Sequence, residues 1–171
     1  MQITPNIIAI ILIVIAVVLH LGARRKELNR ERVLEIILLW VLVIGIGFSG
    51  LFGFAGHIFM ADTVAESIGW PTGSPFQFEV GMANLALGVI GLLCYRFRDN
   101  FWLCTIIANG VFLFGDGIGH IRQMIVSANF EPLNTGATLY WDLGFPVFTI
   151  LLWLMLRKAR IVSIATKKEI L

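Results

Sequence analysis

Five apolar runs of about twenty residues, each closed by a polar or charged stretch, constrain this chain more than anything else in it. They are Pro5–Leu21, Val33–Phe59, Glu79–Tyr95, Phe101–Met124 and Ala137–Leu156. A helix of that length crosses the hydrocarbon of a bilayer, and it satisfies every backbone N–H and C=O within itself. The runs therefore predict an all-α integral membrane protein with five transmembrane helices. Composition agrees: 58% of residues are hydrophobic and 14% charged, against roughly 25% charged in ordinary soluble domains.

The charges are few, but their placement is informative. Arg24, Arg25, Lys26, Arg30 and Arg32 separate the first two runs, and Arg96 and Arg98 separate the third and fourth. Arg157, Lys158, Arg160, Lys167 and Lys168 follow the fifth. Only Arg122, of 13 Lys and Arg, falls on the other side. The positive-inside rule then puts the N-terminus outside and the C-terminus in the cytoplasm, as a multi-pass protein of the cell membrane. Because topology accounts for the basic clusters, they do not argue for nucleic-acid binding. The first run has no basic stretch before it, so it reads as a retained helix and not as a cleaved signal. Cys94 and Cys104 form no CxxC pair and lie near the cytoplasmic ends of their spans, which argues against a disulfide.

Within this frame one motif occurs twice. Gly56-His57-Ile58 with Glu79-Val80-Gly81 returns as Gly119-His120-Ile121 with Asp142-Leu143-Gly144, and 120 − 57 and 142 − 79 are both 63. The same offset carries Gly47 onto Gly110, Ala65 onto Ala128 and Gly73 onto Gly136. Two histidines, each followed by an acid at one fixed distance, in a chain holding 3 His, predict an internal repeat of two helices per unit. The last four spans then form a four-helix bundle about a pseudo-twofold axis along the membrane normal. The expected organisation is a peripheral first helix with a basic loop (1–32), repeat unit one (33–98), repeat unit two (99–157) and a cytoplasmic tail (158–171).

Both histidines end outward-going helices and both acids begin returning ones, so the four groups share a depth in the outer half of the bundle. Asp116, four residues before His120 and on the same helical face, has Gly53 as its counterpart, and Asn84 has Val147. Ionisable groups within spans cost about 2.5–3.5 kcal/mol each on insertion scales, so they mark function more often than not. The expected centre is His57, Glu79, Asp116, His120 and Asp142, with Asn84 in support. Above it, Ala61–Ile68 reads as a short amphipathic helix. Pro71, Gly73 and Pro75 turn the chain back, which makes Trp70, Ser74 and Gln77 an outer lid. Asp62, Glu66 and Glu131 read as solvated loop acids, and His20 as an interfacial residue.

Two imidazoles and several carboxylates inside a helical bundle point first to a transition-metal ion such as iron, manganese or zinc. The Glu-x-x-His pairs of di-iron bundles do not occur. The same groups would also serve an ion, proton or small-solute carrier. A bis-histidine haem is a further alternative, since Gly47, Gly50, Gly53 and Gly56 supply small residues at every third position. In the structural alternative each histidine pairs with its own unit's acid and stitches a helix hairpin in an accessory subunit, the glycines being a helix-packing face. No nucleophile constellation, phosphate loop or dinucleotide fingerprint appears, so nothing specifies an enzyme. The expected partners are the bilayer and a homo-oligomer or larger membrane complex.

The string Gly56-His57-Ile58-Phe59, Ile68-Gly69-Trp70-Pro71, Gly73-Ser74-Pro75-Phe76-Gln77, Glu79 and Gly81-x-Ala83-Asn84 resembles a family of small, functionally uncharacterised prokaryotic multi-pass membrane proteins. That family is distantly similar to DoxX-like four-helix membrane proteins. The resemblance covers spans two to five and implies a four-helix core with an outward-facing polar centre. Through the DoxX-like proteins it also implies an association with redox complexes.

Overall fold

The computed structural model describes residues 5–170, with side chains through 165. All regular structure among these residues is helical: α1 (Pro5–Ala23), α2 (Arg30–Trp40), α3 (Ser49–Phe59), α4 (Ala61–Ile68), α5 (Phe76–Leu93), α6 (Asn100–Ser127), α7 (Pro132–Thr135) and α8 (Ala137–Ile170). A π-helical stretch, Val41–Phe48, fuses α2 and α3 into one rod of 30 residues, Arg30–Phe59. Asn29 starts the rod, its side chain accepting the Arg32 N–H at 2.8 Å and so satisfying one of the orphan donors of the first turn. Five helices are long and apolar enough to cross a membrane, each overlapping one of the five runs read from the sequence.

The rod is central. Its most apolar window is 61% buried, against 22–33% for the helices that begin at Phe76, Asn100 and Pro132. Around it the chain forms two pairs, α3 with α5 and α6 with α8. The first pair is drawn together by glycine. A Cβ on Gly50 would lie 2.7 Å from Gly88 N and 2.8 Å from Asn84 O, and one on Gly88 would lie 2.9 Å from Leu51 N. Only glycine admits backbones this close. The expected packing face is therefore real at Gly47, Gly50 and Gly53, all of which face α5, whereas Gly56 has only Val64 nearby. Gly50, Gly53 and Gly56 also lie along the cavity described below.

At the basic end the pairs are welded by a leucine-rich core. Leu38, Leu42, Trp102 and Leu156 are at most 2% exposed, and the Trp102 indole donates to the Cys94 carbonyl at 2.9 Å. Arg160 of α8 spans three carboxylates there, Glu31 (3.6 Å), Glu35 (3.5 Å) and Asp99. The expected tail at 158–171 continues α8 as helix to Ile170, since it holds no Pro or Gly and is rich in good helix formers. Helix α1 is peripheral, as expected: of its residues only Ala9 is buried. His20 near its end accepts the Trp40 indole N–H at 3.1 Å.

At the opposite end the connection between α3 and α5 docks on the one between α6 and α8. Helix α4 coincides with the expected amphipathic segment and closes on Gly69, whose φ of +80° suits a residue without a Cβ. Asn129 reaches across, donating to the Ile68 carbonyl and to Gln123 Oε1, both at 2.8 Å. Asp62 is exposed, and its carboxylate also accepts the Gly73 N–H at 2.9 Å.

Candidate functional site

The pairs α3–α5 and α6–α8 meet tightly at the basic end and part at the other. Between them lies a cavity of about 1020 Å³, at the upper end of the range for small-molecule sites, about 300–1,000 Å³. The N-terminal half of α1 forms one wall, through Ile8, Ala9 and Leu12. Trp70, Pro71 and Ser74 from the loop after α4 lie over it. Most of the remaining wall is apolar, but His57, Asn84, Asp116, His120 and Asp142 all line it. The structure thus brings four of the five expected ionisable residues, and the expected supporting amide, to one cavity.

Glu79 is the exception and corrects the expected centre. It is exposed and does not line the cavity. Successive helical residues are about 100° apart, so positions 77 and 79 face opposite ways. Gln77 is the one turned inward, 3% exposed, with its Oε1 2.6 Å from His57 Nδ1. Glu79 is left in the first turn of α5, where a carboxylate suits the positive helix terminus. At the 63-residue offset the choice is reversed: Tyr140 is 76% exposed and Asp142 4%. The two returning helices therefore present opposite faces, and equivalence in sequence does not become equivalence in space.

His120 is the most tightly defined of these groups. It is buried, with Nδ1 2.7 Å from Asn134 Oδ1. Asn134 cannot be turned end for end, because its Nδ2 donates to the Asn129 carbonyl at 2.8 Å. An amide oxygen only accepts, so Nδ1 carries the hydrogen and Nε2 is the basic nitrogen of the neutral ring. Nε2 lies 3.7 Å from Asp142 Oδ2, within ion-pair reach but beyond a hydrogen bond. Of the two expected stitching pairs this one brings its groups to 3.7 Å, whereas His57 takes an amide partner in place of an acid.

Among the described residues, two buried side-chain donors lack an acceptor, Trp70 Nε1 and Gln77 Nε2. An orphaned buried donor costs about 1–3 kcal/mol. Trp70 lines the cavity, and Gln77 holds a histidine that does. The metal expectation fits less well, because no group of three or more His, Cys, Asp or Glu among the described residues is placed to hold an ion.

Three cavity or supporting residues did not figure in the expected centre. Gln123 follows Asp116 and His120 at the i, i+4, i+7 spacing of one helical face, a signal present in the sequence. Asn109, 6% exposed, continues the lining toward the basic end. Asn134 has no such signal, since it lies in a one-turn helix of the connecting loop and meets His120 only through the fold.

Fold and cavity together define a class: a small helical protein with five candidate membrane-crossing helices and a polar-floored cleft between two helix pairs at one end. Residues 3–161 match the sequence profile of DUF6790, a family of unknown function, and the chain belongs to that family. No curated protein and no solved structure matches the chain.

Proposed function

We propose that this protein is a membrane-embedded binding protein for a small amphipathic molecule. The polar head of the ligand would sit among His57, Asp116, His120 and Asp142, and its apolar part would run along α1 and the walls of α3 and α6. The observation that carries this reading is the cavity itself. It is large, mostly apolar and walled on one side by a peripheral helix, yet it gathers four ionisable side chains at one end. Pockets that bind organic molecules combine those features. Trp70 Nε1, a buried donor without an acceptor, would serve a carbonyl or oxyanion in the head group. Beneath Asn109 the leucine-rich core closes the basic half, which favours a site entered from one side over a transport path. We place the histidine end outside and the basic end in the cytoplasm, by the distribution of Lys and Arg. The DoxX-like resemblance suggests redox membrane complexes as the first place to seek the ligand.

A second reading, a transition-metal site, is favoured by one observation. The His57 and His120 rings each have Nδ1 on an amide oxygen, the support that metal-binding histidines commonly have, with the Nε2 lone pair left to ligate. Iron, manganese or zinc would then use His57, Asp116, His120 and Asp142, after movement that brings at least three of them together.

The full chain purified in mild detergent without chelator distinguishes the two. A Cβ at Gly119 meets no atom within 4 Å, so Gly119→Leu adds a side chain to the cavity without a backbone clash. A discrete amphipathic species should co-purify with the wild type and be lost from Gly119→Leu. An identical extract from both proteins would refute the binding reading. Near-stoichiometric metal in the wild type, lost in His57→Ala/His120→Ala, would establish the metal instead.

A further inference from the structure

A second pocket, of about 240 Å³, lies at the basic end. Three segments build it: His20 and Arg24 from the end of α1, Arg32 and Glu35 from α2, and Tyr95 and Arg98 from the connection between α5 and α6. Ile36 and Leu39, each 2% exposed, contribute apolar lining. Arginines at this end of the helices need no ligand, because membrane topology alone would put them there. Their convergence on one pocket, and the partners that surround them, go further.

The pocket is rich in donors and short of free acceptors. Glu35, its one acid, is engaged by Arg32 at 2.9 Å and by Arg160 at 3.5 Å. Arg98 lies over the Trp102 ring at 4.9 Å, a stacking that steadies the guanidinium plane while its N–H edges stay free to donate. Trp40 organises the other side. Its indole N–H donates to His20 Nδ1 at 3.1 Å, so the neutral ring carries its hydrogen on Nε2 and donates from there. The Tyr95 ring packs on the same Trp40 at 6.1 Å. Three guanidinium groups, an imidazole N–H and a phenol thus face a space with a single, already neutralised carboxylate. That is the complement of a tetrahedral oxyanion, which guanidinium groups grip through paired N–H···O bonds.

We propose that this pocket binds a phosphate group through Arg24, Arg32, Arg98 and the Nε2–H of His20. Two sources present that chemistry, the phosphodiester of an anionic lipid and free phosphate. Basic pockets between helices at the cytoplasmic face of membrane proteins hold anionic head groups in this way, and the apolar floor would suit the first carbons of a lipid.

The test uses the full chain in a neutral detergent, titrated with mixed micelles of phosphatidylglycerol or of phosphatidylcholine, and separately with inorganic phosphate. Tryptophan fluorescence and thermal unfolding report binding, since Trp40 and Trp102 touch His20 and Arg98. Phosphatidylglycerol should bind saturably, and Arg98→Gln and Arg24→Gln should each weaken it about tenfold, the scale of one hydrogen bond to a charged group. Arg24 is exposed and ion-paired only locally, with Glu27 three residues on, so its variant tests the pocket even if Arg98→Gln folds poorly. Arg157, over Trp153 at 5.4 Å and outside the pocket, is the control for diffuse charge. Saturation by inorganic phosphate with the same variant dependence would identify the free anion as a ligand, and a response to phosphatidylglycerol alone would identify the lipid. Equal responses to both lipids with none to phosphate, or an Arg157→Gln loss as large as that of Arg98→Gln, would overturn the proposal.

Discussion

The glycine contact between α3 and α5 offers the sharpest test of the packing. Consider Gly50→Ala beside Gly115→Ala. The new methyl at position 50 would lie 2.7 Å from Gly88 N and 2.8 Å from both Gly88 Cα and Asn84 O, all backbone atoms of α5. Comfortable contact between heavy atoms begins near 3.5 Å, so the helices must part by roughly 0.8 Å, and a gap of 0.5–1 Å forfeits a quarter to a half of each dispersion well. Overpacking of this kind costs about 1–3 kcal/mol. At position 115 the methyl meets nothing within 4 Å. Both variants gain the same helix propensity, about 0.8–1 kcal/mol for Gly→Ala, so the difference between them isolates the strain. At about 2–4 °C per kcal/mol for a chain of this size, Gly50→Ala should melt about 2–12 °C below Gly115→Ala by differential scanning fluorimetry in detergent. Two variants that melt together would mean that α3 and α5 are not packed backbone to backbone, and the cleft built on that contact would have to be redrawn.

Asn134→Ala should destabilise the protein by about 2–3 kcal/mol, because it orphans the buried His120 Nδ1–H and the Asn129 carbonyl; thermal unfolding measures the loss. Nitrogen-15 NMR of the wild type should show the neutral His120 ring protonated at Nδ1, and Nε2–H as the dominant form would contradict the assigned tautomer. Arg160→Ala should cost about 1 kcal/mol at low salt through loss of its carboxylate network, with the difference from wild type shrinking in high salt as exposed pairs are screened. Cys104 is exposed, whereas Cys94 is buried against Thr105 at 3.4 Å. A small membrane-permeant maleimide should therefore label Cys104 and spare Cys94 until the protein is unfolded, which mass spectrometry of the digested protein reads directly.

The features legible in the sequence are those written along the helix axis. Apolar length placed the long helices, Pro71 and Gly73 delimited α4, and the arginines marked the basic end. The depth shared by His57 and His120 was visible for the same reason, because depth follows from counting residues between helix ends. Rotation about the axis was not visible. In an amphipathic helix the polar face identifies the exposed side, but the long helices here are apolar on their exposed faces as well as on their packed ones. Hydropathy therefore could not say that Gln77 turns inward and Glu79 outward, nor that α1 would wall a cavity. The π-helical stretch in Val41–Phe48 is hidden too, since its i→i+5 bonding has no signature in a run of Val, Leu, Ile and Gly. Asn134 lay outside this kind of reading altogether, as a loop residue acquires a role only when the loops dock.

The position-by-position differences at the 63-residue offset show how differently the two pairs meet the cleft between them. In the first helix pair Gly53 leaves room that Asn84 fills: a Cβ on Gly53 would lie 2.6 Å from Asn84 Oδ1. The Asn84 Nδ2 is satisfied in its own helix by the Val80 carbonyl at 3.0 Å. The outgoing helix is small, the returning one polar, and the two close on each other. At the corresponding positions of the second pair stand Asp116 and Val147. The polar group has moved to the outgoing helix, and Val147, 46% exposed, offers it nothing to bond. Asp116 is therefore turned to the cleft, one helical turn from His120 and on the same wall as Asp142. In the first pair the corresponding polar groups bond within the pair, Asn84 to the Val80 carbonyl and His57 to Gln77. On the reading proposed above, in which burial in a membrane makes such a group costly, Asp116 faces the cavity to meet the ligand that enters it.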